Sequence, residues 1–247
     1  MTIRKAVILS AGKGSRLLPL TENRPKCLLD CSGKSLLEWQ LDALFAGGVE
    51  DAVIVTGFRS DLVDALVAAR PDRRARTLYN PFYHVADNTG SVWMAREEMK
   101  EDFLILNGDT LISPDIVRKV VADAEAPITV TVDEKPAYDD DDMKVLRDGD
   151  RLLRIGKTIA ECNAESIGFL AFRGTGPAVF VDAVDALMHG PEGVSSWYLK
   201  LIDQLAPLGI VSTVSIHGME WQEVDFMPDL DAAQKLTAKW RAERSAG

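Results

Sequence analysis

Between Leu9 and Lys26 the chain reads LSAGKGSRLLPLTENRPK, a glycine-rich loop that carries Lys13, Arg16, Arg24 and Lys26. Gly12 and Gly14 lack a Cβ. They can therefore let the segment from Leu9 through Ser10, Ala11 and Ser15 turn its backbone N–H groups inward, and such a concave run of amides attracts an anion. Arg16 can fork onto phosphate oxygens while Lys13 and Lys26 act as point charges. The first 26 residues hold six basic side chains against one acidic one, although the whole chain carries a net charge of −10. The chemistry implied is the binding of a polyanion such as a nucleoside triphosphate. The competing reading is a glycine turn with solvated basic residues, because short glycine motifs arise often.

Carboxylates stand at two further points. Asp109 follows an apolar run in FLILNGDTL, and Glu223 and Asp225 alternate in WQEVDF. An aspartate just beyond a buried strand can hold Mg²⁺ against phosphates. Asn-Gly-Asp is also ordinary turn chemistry, and an acidic pair also suits the wet face of an edge strand. Asp229 is expected to cap the helix that follows Pro228, where a carboxylate opposes the positive end of the helix dipole.

Two familiar phosphate loops are excluded by single positions. A dinucleotide fingerprint GxGxxG needs glycine where Leu17 stands. A Walker loop GxxxxGK[ST] would use Gly33, Lys34 and Ser35, but Leu28 occupies the place of its first glycine. The GKS run reads instead as a turn that starts a helix.

Elements able to position these groups alternate along the chain. Ala6 to Leu9, Ala52 to Val55, Thr77 to Tyr79 and Phe103 to Leu106 read as short apolar strands, and Leu36 to Phe45, Leu62 to Ala69 and Val92 to Glu98 as helices between them. This rhythm predicts a parallel sheet covered on both faces, with ligands beyond the carboxyl ends of its strands. Asp141 to Ile159 reads as a hairpin turning at Asp148-Gly149, and Trp221 to Phe226 as a strand with Glu223 and Asp225 on one face.

The segment LSAGKGSRLLPLTENRPKCLL, with Lys26 ten residues beyond Arg16, resembles the signature of the nucleotidyltransferases that make nucleotide sugars and related CDP-alcohols. That resemblance implies an α/β fold with a Rossmann-like, mostly parallel mixed sheet, helices on both faces and a small β-hairpin part for the acceptor. It implies one domain over residues 1–247, with residues 1–132 serving mainly the nucleotide and 133–247 mainly the acceptor. It also implies Mg²⁺ on Asp109 and Asp225, and Arg16 and Lys26 as the groups that stabilise charge while an acceptor phosphate displaces pyrophosphate.

Tyr79 to Met99, YNPFYHVADNTGSVWMAREEM, lacks the GTA or GTG stretch of the sugar-phosphate branch. It resembles cytidylyltransferases that act on phosphocholine, aminoethylphosphonate or inositol phosphate. Asn80, Asn88 and Ser91 then become contacts for the base and ribose of CTP. The hairpin also resembles that branch, and it offers Lys144 and Lys157 to an acceptor phosphate. Trp197 and Tyr198, with Tyr138 and the acidic run Asp139 to Asp142, could hold a cationic end of the acceptor. Glu223, beside Asp225, is a candidate third carboxylate or acceptor contact. Alternatives are a sugar-1-phosphate nucleotidyltransferase and a non-catalytic nucleotide sensor. A sensor would be expected to lose the lysine or a metal aspartate, and all three are present.

The net charge argues against nucleic acid as a partner. No leader segment and no apolar run near 18 residues is seen, so neither secretion nor membrane insertion is expected. Cys27, Cys31 and Cys162 follow no metal spacing and read as free thiols, which suits the cytoplasm. The oligomeric state is left open.

Overall fold

A computed structural model describes residues 2–246. Its strands are β1 (Lys5–Ser10), β2 (Asp51–Thr56), β3 (Ala75–Tyr79), β4 (Phe103–Asn107), β5 (Thr110–Leu111), β6 (Ile128–Asp133), β7 (Lys144–Asp148), β8 (Arg151–Ile155), β9 (Ala164–Phe172), β10 (Val211–Ser215) and β11 (Gln222–Glu223). Its helices are α1 (Leu36–Ala46), α2 (Ser60–Ala69), α3 (Asn88–Met94), α4 (Pro114–Asp123), α5 (Gly176–Met188), α6 (Tyr198–Leu205) and α7 (Met227–Ala246).

Nine strands form one mixed sheet in the order β3-β2-β1-β4-β9-β6-β10-β8-β7. Strands β3, β2, β1 and β4 are parallel, and β9 runs antiparallel between β4 and β6. β7 also pairs with the first residues of β9, so the hairpin half of the sheet closes back on itself.

The central strands β1, β2 and β4 are apolar over nearly their whole length because each face meets helices. Val7, Val53, Phe103 and Ile105 pack with Val92, Phe180, Tyr198 and Ile202 from α3, α5 and α6. Ala6, Ile8, Ile54, Leu104 and Leu106 pack with Leu37, Leu41, Val63 and Val117 from α1, α2 and α4. Alternate residues of one strand thus serve opposite layers, as period-two geometry requires.

A third cluster joins the two ends of the chain. Leu17 and Leu29 from the basic loop, Trp39 from α1, Leu111 from β5, Val224, and Leu230 and Trp240 from α7 are buried together. It fastens the amino-terminal loop to the carboxy-terminal helix, with Trp39 and Trp240 in edge contact at 6.0 Å.

Several boundaries differ from the sequence reading. The helix expected from Val92 begins at Asn88 with Asp87 as its N-cap, and ends at Met94 in a separate 3-10 turn, Arg96–Glu98. The six-residue strand expected at Trp221 to Phe226 shrinks to β11, paired only with the two residues of β5. The chain must turn there to start α7, and the Asp229 carboxylate accepts the Asp225 and Phe226 N–H groups at 3.0 and 2.7 Å to close that turn. Ser35 caps α1 in a reciprocal box with Glu38, as the GKS reading anticipated.

Candidate active site

Parallel pairing of β1 with β4 sets Leu9 opposite Asn107, so the loop after β1 and Asp109 leave the same edge of the sheet. Asp225 reaches that edge by another route. Glu223 pairs with Thr110, and the Val224 N–H donates to the Asp109 carbonyl at 3.0 Å. Val224 turns into the core, so its neighbours Glu223 and Asp225 turn the other way, toward Asp109.

The loop bends at Gly14, whose φ of 74° is a left-handed conformation suited to glycine. A Cβ there would lie 2.8 Å from Lys26 Cβ, so the glycine also lets Lys26 pass close to the loop. Gly12 does not share the left-handed conformation.

Lys26 Nζ stands 2.8 Å from Asp109 Oδ2 and 2.7 Å from Asp225 Oδ1, and Arg16 reaches Asp225 Oδ2 at 3.0 Å. Burial pulls the Lys26 ammonium toward deprotonation, but Asp109 and Asp225 outweigh it and hold its pKa above the ordinary value. Burial pushes Asp225 upward as well, yet Lys26 and then Arg16 bring it below the usual carboxylate range. Glu223 lacks such a partner. Although much of the residue is open to solvent, the surrounding protein and then the neighbouring Asp109 and Asp225 push its carboxyl up to about 8.

Oxygen atoms of Asp109, Glu223 and Asp225 lie within 4.8 Å of one another. Asp109 Oδ1 is buried with no hydrogen-bond partner among the described residues, a cost that an ion would remove. Three hard carboxylate donors with one orphaned oxygen fit a divalent cation such as Mg²⁺.

A cleft of about 300 Å³ lies behind the loop, lined by Leu9, Ser10, Ala11, Gly12, Gly14, Lys26, Asn88, Ser91 and Asp109. A second cavity of about 240 Å³ adjoins it, and Lys157, Trp197, Glu223 and Asp225 lie on its wall. Lys157 Nζ sits 4.9 Å from the centre of the Trp197 ring. A third hollow of about 430 Å³ runs outward from Glu223 and Asp225 past Asp139, Asp141 and Trp221.

Other residues singled out from sequence lie elsewhere. Asn80 is fully buried and does not line the cleft; its Nδ2 donates to Ser91 Oγ at 3.1 Å and its Oδ1 accepts the Phe82 N–H, so it supports Ser91 from behind. Tyr198 offers no aromatic face to a ligand, because it is fully buried against Phe180. Lys144 directs its ammonium toward Asp140 at 3.9 Å and lines none of these cavities. Lys13 lies over the Phe58 ring, and Ser15 starts a 3-10 turn beside the cleft. Asn107 and Tyr83, which sequence reasoning missed, both line the cleft. Asn107 carried a signal, since a polar residue ending an apolar strand must sit at the ligand-bearing edge.

No helix among the described residues is long and apolar enough to cross a membrane. Residues 5–143 match the family model described as nucleotidyl transferase. Over 98% of its length the chain is 30% identical to a bifunctional IPC transferase and DIPP synthase of Rubrobacter xylanophilus, spanning 54% of that longer protein. It is 24% identical to a CTP:phosphoglutamine cytidylyltransferase of Campylobacter jejuni, over 92% of this chain and 97% of that one. The fold matches the inositol-1-phosphate CTP transferase from T. maritima with a TM-score of 0.80 at 21% identity, covering 97% and 96% of the two chains. With its glycine loop, lysine and paired aspartates brought to one edge of the sheet, this chain belongs to the nucleotidyl transferase family.

Proposed function

We propose that the protein is a magnesium-dependent cytidylyltransferase that moves CMP from CTP onto a small phosphorylated or phosphonylated alcohol or amine and releases pyrophosphate. The observation that carries this reading is the convergence of Lys26, Asp109 and Asp225 where two cavities meet, one behind the phosphate-binding loop and one reaching Lys157. In this assignment residues 1–132 serve mainly the nucleotide and 133–247 mainly the acceptor.

A nucleotide in the first cleft would set its phosphates against the amides of the Ser10 to Ser15 loop, with its sugar and base toward Ser91 and with Asn88 at the junction with the second cavity. The acceptor's phosphate in the second cavity would lie near Lys157. Its anionic oxygen needs no protein nucleophile. Held in line with the α-phosphorus, it reacts as pyrophosphate leaves, and the protein supplies position and charge compensation. Lys26 would stabilise charge on the α-phosphoryl group, and Arg16 would meet the departing phosphates. Bound by Asp109 and Asp225, with Glu223 alongside, Mg²⁺ would neutralise charge on the reacting phosphates.

The similarity to relatives named as CTP transferases of inositol-1-phosphate and phosphoglutamine supports CTP and a non-sugar acceptor. The acidic hollow beside Glu223 favours acceptors with a cationic end. Pyrophosphate release, measured with four nucleoside triphosphates crossed against phosphocholine, aminoethylphosphonate, inositol phosphate and hexose phosphates, tests the reading. Turnover confined to a hexose phosphate would replace it with the sugar-nucleotide alternative.

A further inference from the structure

Asn88, Asn107 and Asp109 line both the nucleotide cleft and the adjoining cavity. The two asparagines share one anchor. The Tyr198 hydroxyl donates to Asn107 Oδ1 at 3.1 Å, and the Tyr198 backbone N–H donates to Asn88 Oδ1 at 3.1 Å. Tyr198 is a fixed support, fully buried and edge-on to Phe180 at 6.3 Å. Burial, followed by the charges of Asp109 and Glu223, raises its phenol pKa, so it remains a donor.

Asn107 is held from two further sides. Gln40 Nε2 donates to its backbone carbonyl at 2.8 Å. Gly168 packs so tightly against its amide that a Cβ there would lie 2.3 Å from Nδ2. Each asparagine therefore has its side-chain oxygen engaged by Tyr198, and neither Nδ2 has a hydrogen-bond partner among the described residues. An amide in that condition presents donors to whatever occupies the cavity.

We propose that Asn88 and Asn107 form a pair of neutral hydrogen-bond donors, oriented by Tyr198, that grip oxygens of the phosphoryl group in transit between the two cavities. This inference rests on the transferase reading. In that transfer, a bond forms between an acceptor phosphate oxygen and the α-phosphorus. The bond from α-phosphorus to the bridging oxygen breaks, and its electron pair departs with pyrophosphate. Charge on the non-bridging oxygens redistributes as this happens, and donors already fixed in place meet it without reorganising. The cations nearby, Lys26 and Arg16, are drawn toward carboxylates, whereas the amides are not.

The decisive variants are Asn107→Asp and Asn88→Asp, which keep the shape and the acceptor for Tyr198 but put a carboxylate oxygen where the NH₂ stood. Loss of kcat by at least about a hundredfold, with the KM for CTP changed far less, is expected for Asn107→Asp. Tyr198→Phe, which acts through Asn107, is expected to lose about tenfold alone and little more when added to Asn107→Ala. Wild-type turnover by the two Asp variants would overturn the proposal, since an asparagine serving only as acceptor for Tyr198 is replaced well by aspartate. Should an Asp variant not fold, Asn107→Ser is scored by the same criterion.

Failure of the transferase reading would look different: wild-type enzyme would release no pyrophosphate with any nucleotide and acceptor. Calorimetric binding of magnesium CTP then decides, and Asn107→Asp must weaken it at least about tenfold, since the carboxylate would face a phosphate oxygen. Equal binding overturns the inference, and no binding by the wild type overturns both.

Discussion

Replacing Lys26 with methionine removes the ammonium that Asp225 and Asp109 share at 2.7 and 2.8 Å. Side chains of this trio are between 17% and 27% exposed, so the pairs are screened less than surface pairs but are not sealed from water. Breaking a buried pair by deleting one partner costs about 3–5 kcal/mol, and the partial exposure here brings the expected loss to about 2–4 kcal/mol. Asp109 and Asp225 would then face each other with Arg16 and the weaker field of Lys157 left to offset Asp225. A divalent cation should reverse that loss. In thermal melts Mn²⁺ is expected to raise the midpoint of Lys26→Met well above its metal-free value, and to move the wild type much less, because in the wild type the ammonium already occupies the space between the carboxylates. Turnover measured by pyrophosphate release should fall at least about a hundredfold in the same variant. A variant that melts like the wild type without metal and retains near-normal turnover would refute the reasoning about Lys26, both as counter-ion and as a group acting on the phosphates.

Three other outcomes are expected. Gly14→Ala must adopt a φ of 74° and bring its Cβ within 2.8 Å of Lys26 Cβ; urea unfolding should show a loss of about 1–3 kcal/mol, and turnover should drop as Lys26 is displaced. Lys157→Ala should raise the acceptor KM about tenfold and leave the KM for CTP nearly unchanged, because loss of one charged contact costs about 1.5 kcal/mol or more; equal effects on both substrates would remove Lys157 from the acceptor site. Burial raises the Glu165 carboxyl to about 7 despite its pairing with Lys135 at 2.9 Å. The folded state therefore prefers the proton, and this group's contribution to stability falls as pH rises from its ordinary value of 4.5 through about 7. Glu165→Gln should be more stable than the wild type at pH 8, by about 1–2 kcal/mol after allowance for solvent screening, and nearly equal to it at pH 5, as read from denaturation curves at the two pH values.

The parallel core was legible because β1, β2 and β4 are apolar runs ending in polar or glycine residues, and helical spacing lies between them. Asp109 was legible for the same reason, since an aspartate two residues beyond such a strand has to emerge at its carboxyl edge. The Asp148-Gly149 turn was equally local, and Gly149 takes the φ of 55° that such a turn requires. Residues whose role depends on packing between distant helices were not legible. Asn80 and Ser91 are eleven residues apart, and only the seating of α3 on the sheet shows that one supports the other. Tyr198 and Trp197 are adjacent in sequence, yet α6 turns the first into the core and leaves the second against Lys157. A Trp-Tyr pair carries no signal that separates these fates, because both side chains have an apolar body and a polar tip. The short β11 was missed because alternation in WQEVDF reports which way side chains point, and not how many backbone groups find a partner.

The charges at the site constrain how ligands can enter it. Lys26 and Arg16 are ion-paired with Asp109 and Asp225, the same carboxylates that would bind a cation. A metal arriving alone would compete with these two basic groups and leave them without counter-ions. A nucleotide arriving alone would draw the basic groups toward its phosphates and leave Asp109, Asp225 and Glu223 mutually repelling; burial first, and then the charges of Asp109 and Asp225, already raise the pKa of Glu223. Arriving together, the metal would take the carboxylates and the phosphates would take the cations, so that each ligand would relieve the cost imposed by the other. By thermodynamic reciprocity the two must then strengthen each other's binding by the same factor. The glycine loop is thus tied to the two distant aspartates by electrostatic linkage as well as by the buried cluster of Leu17, Leu29, Val224 and Trp240.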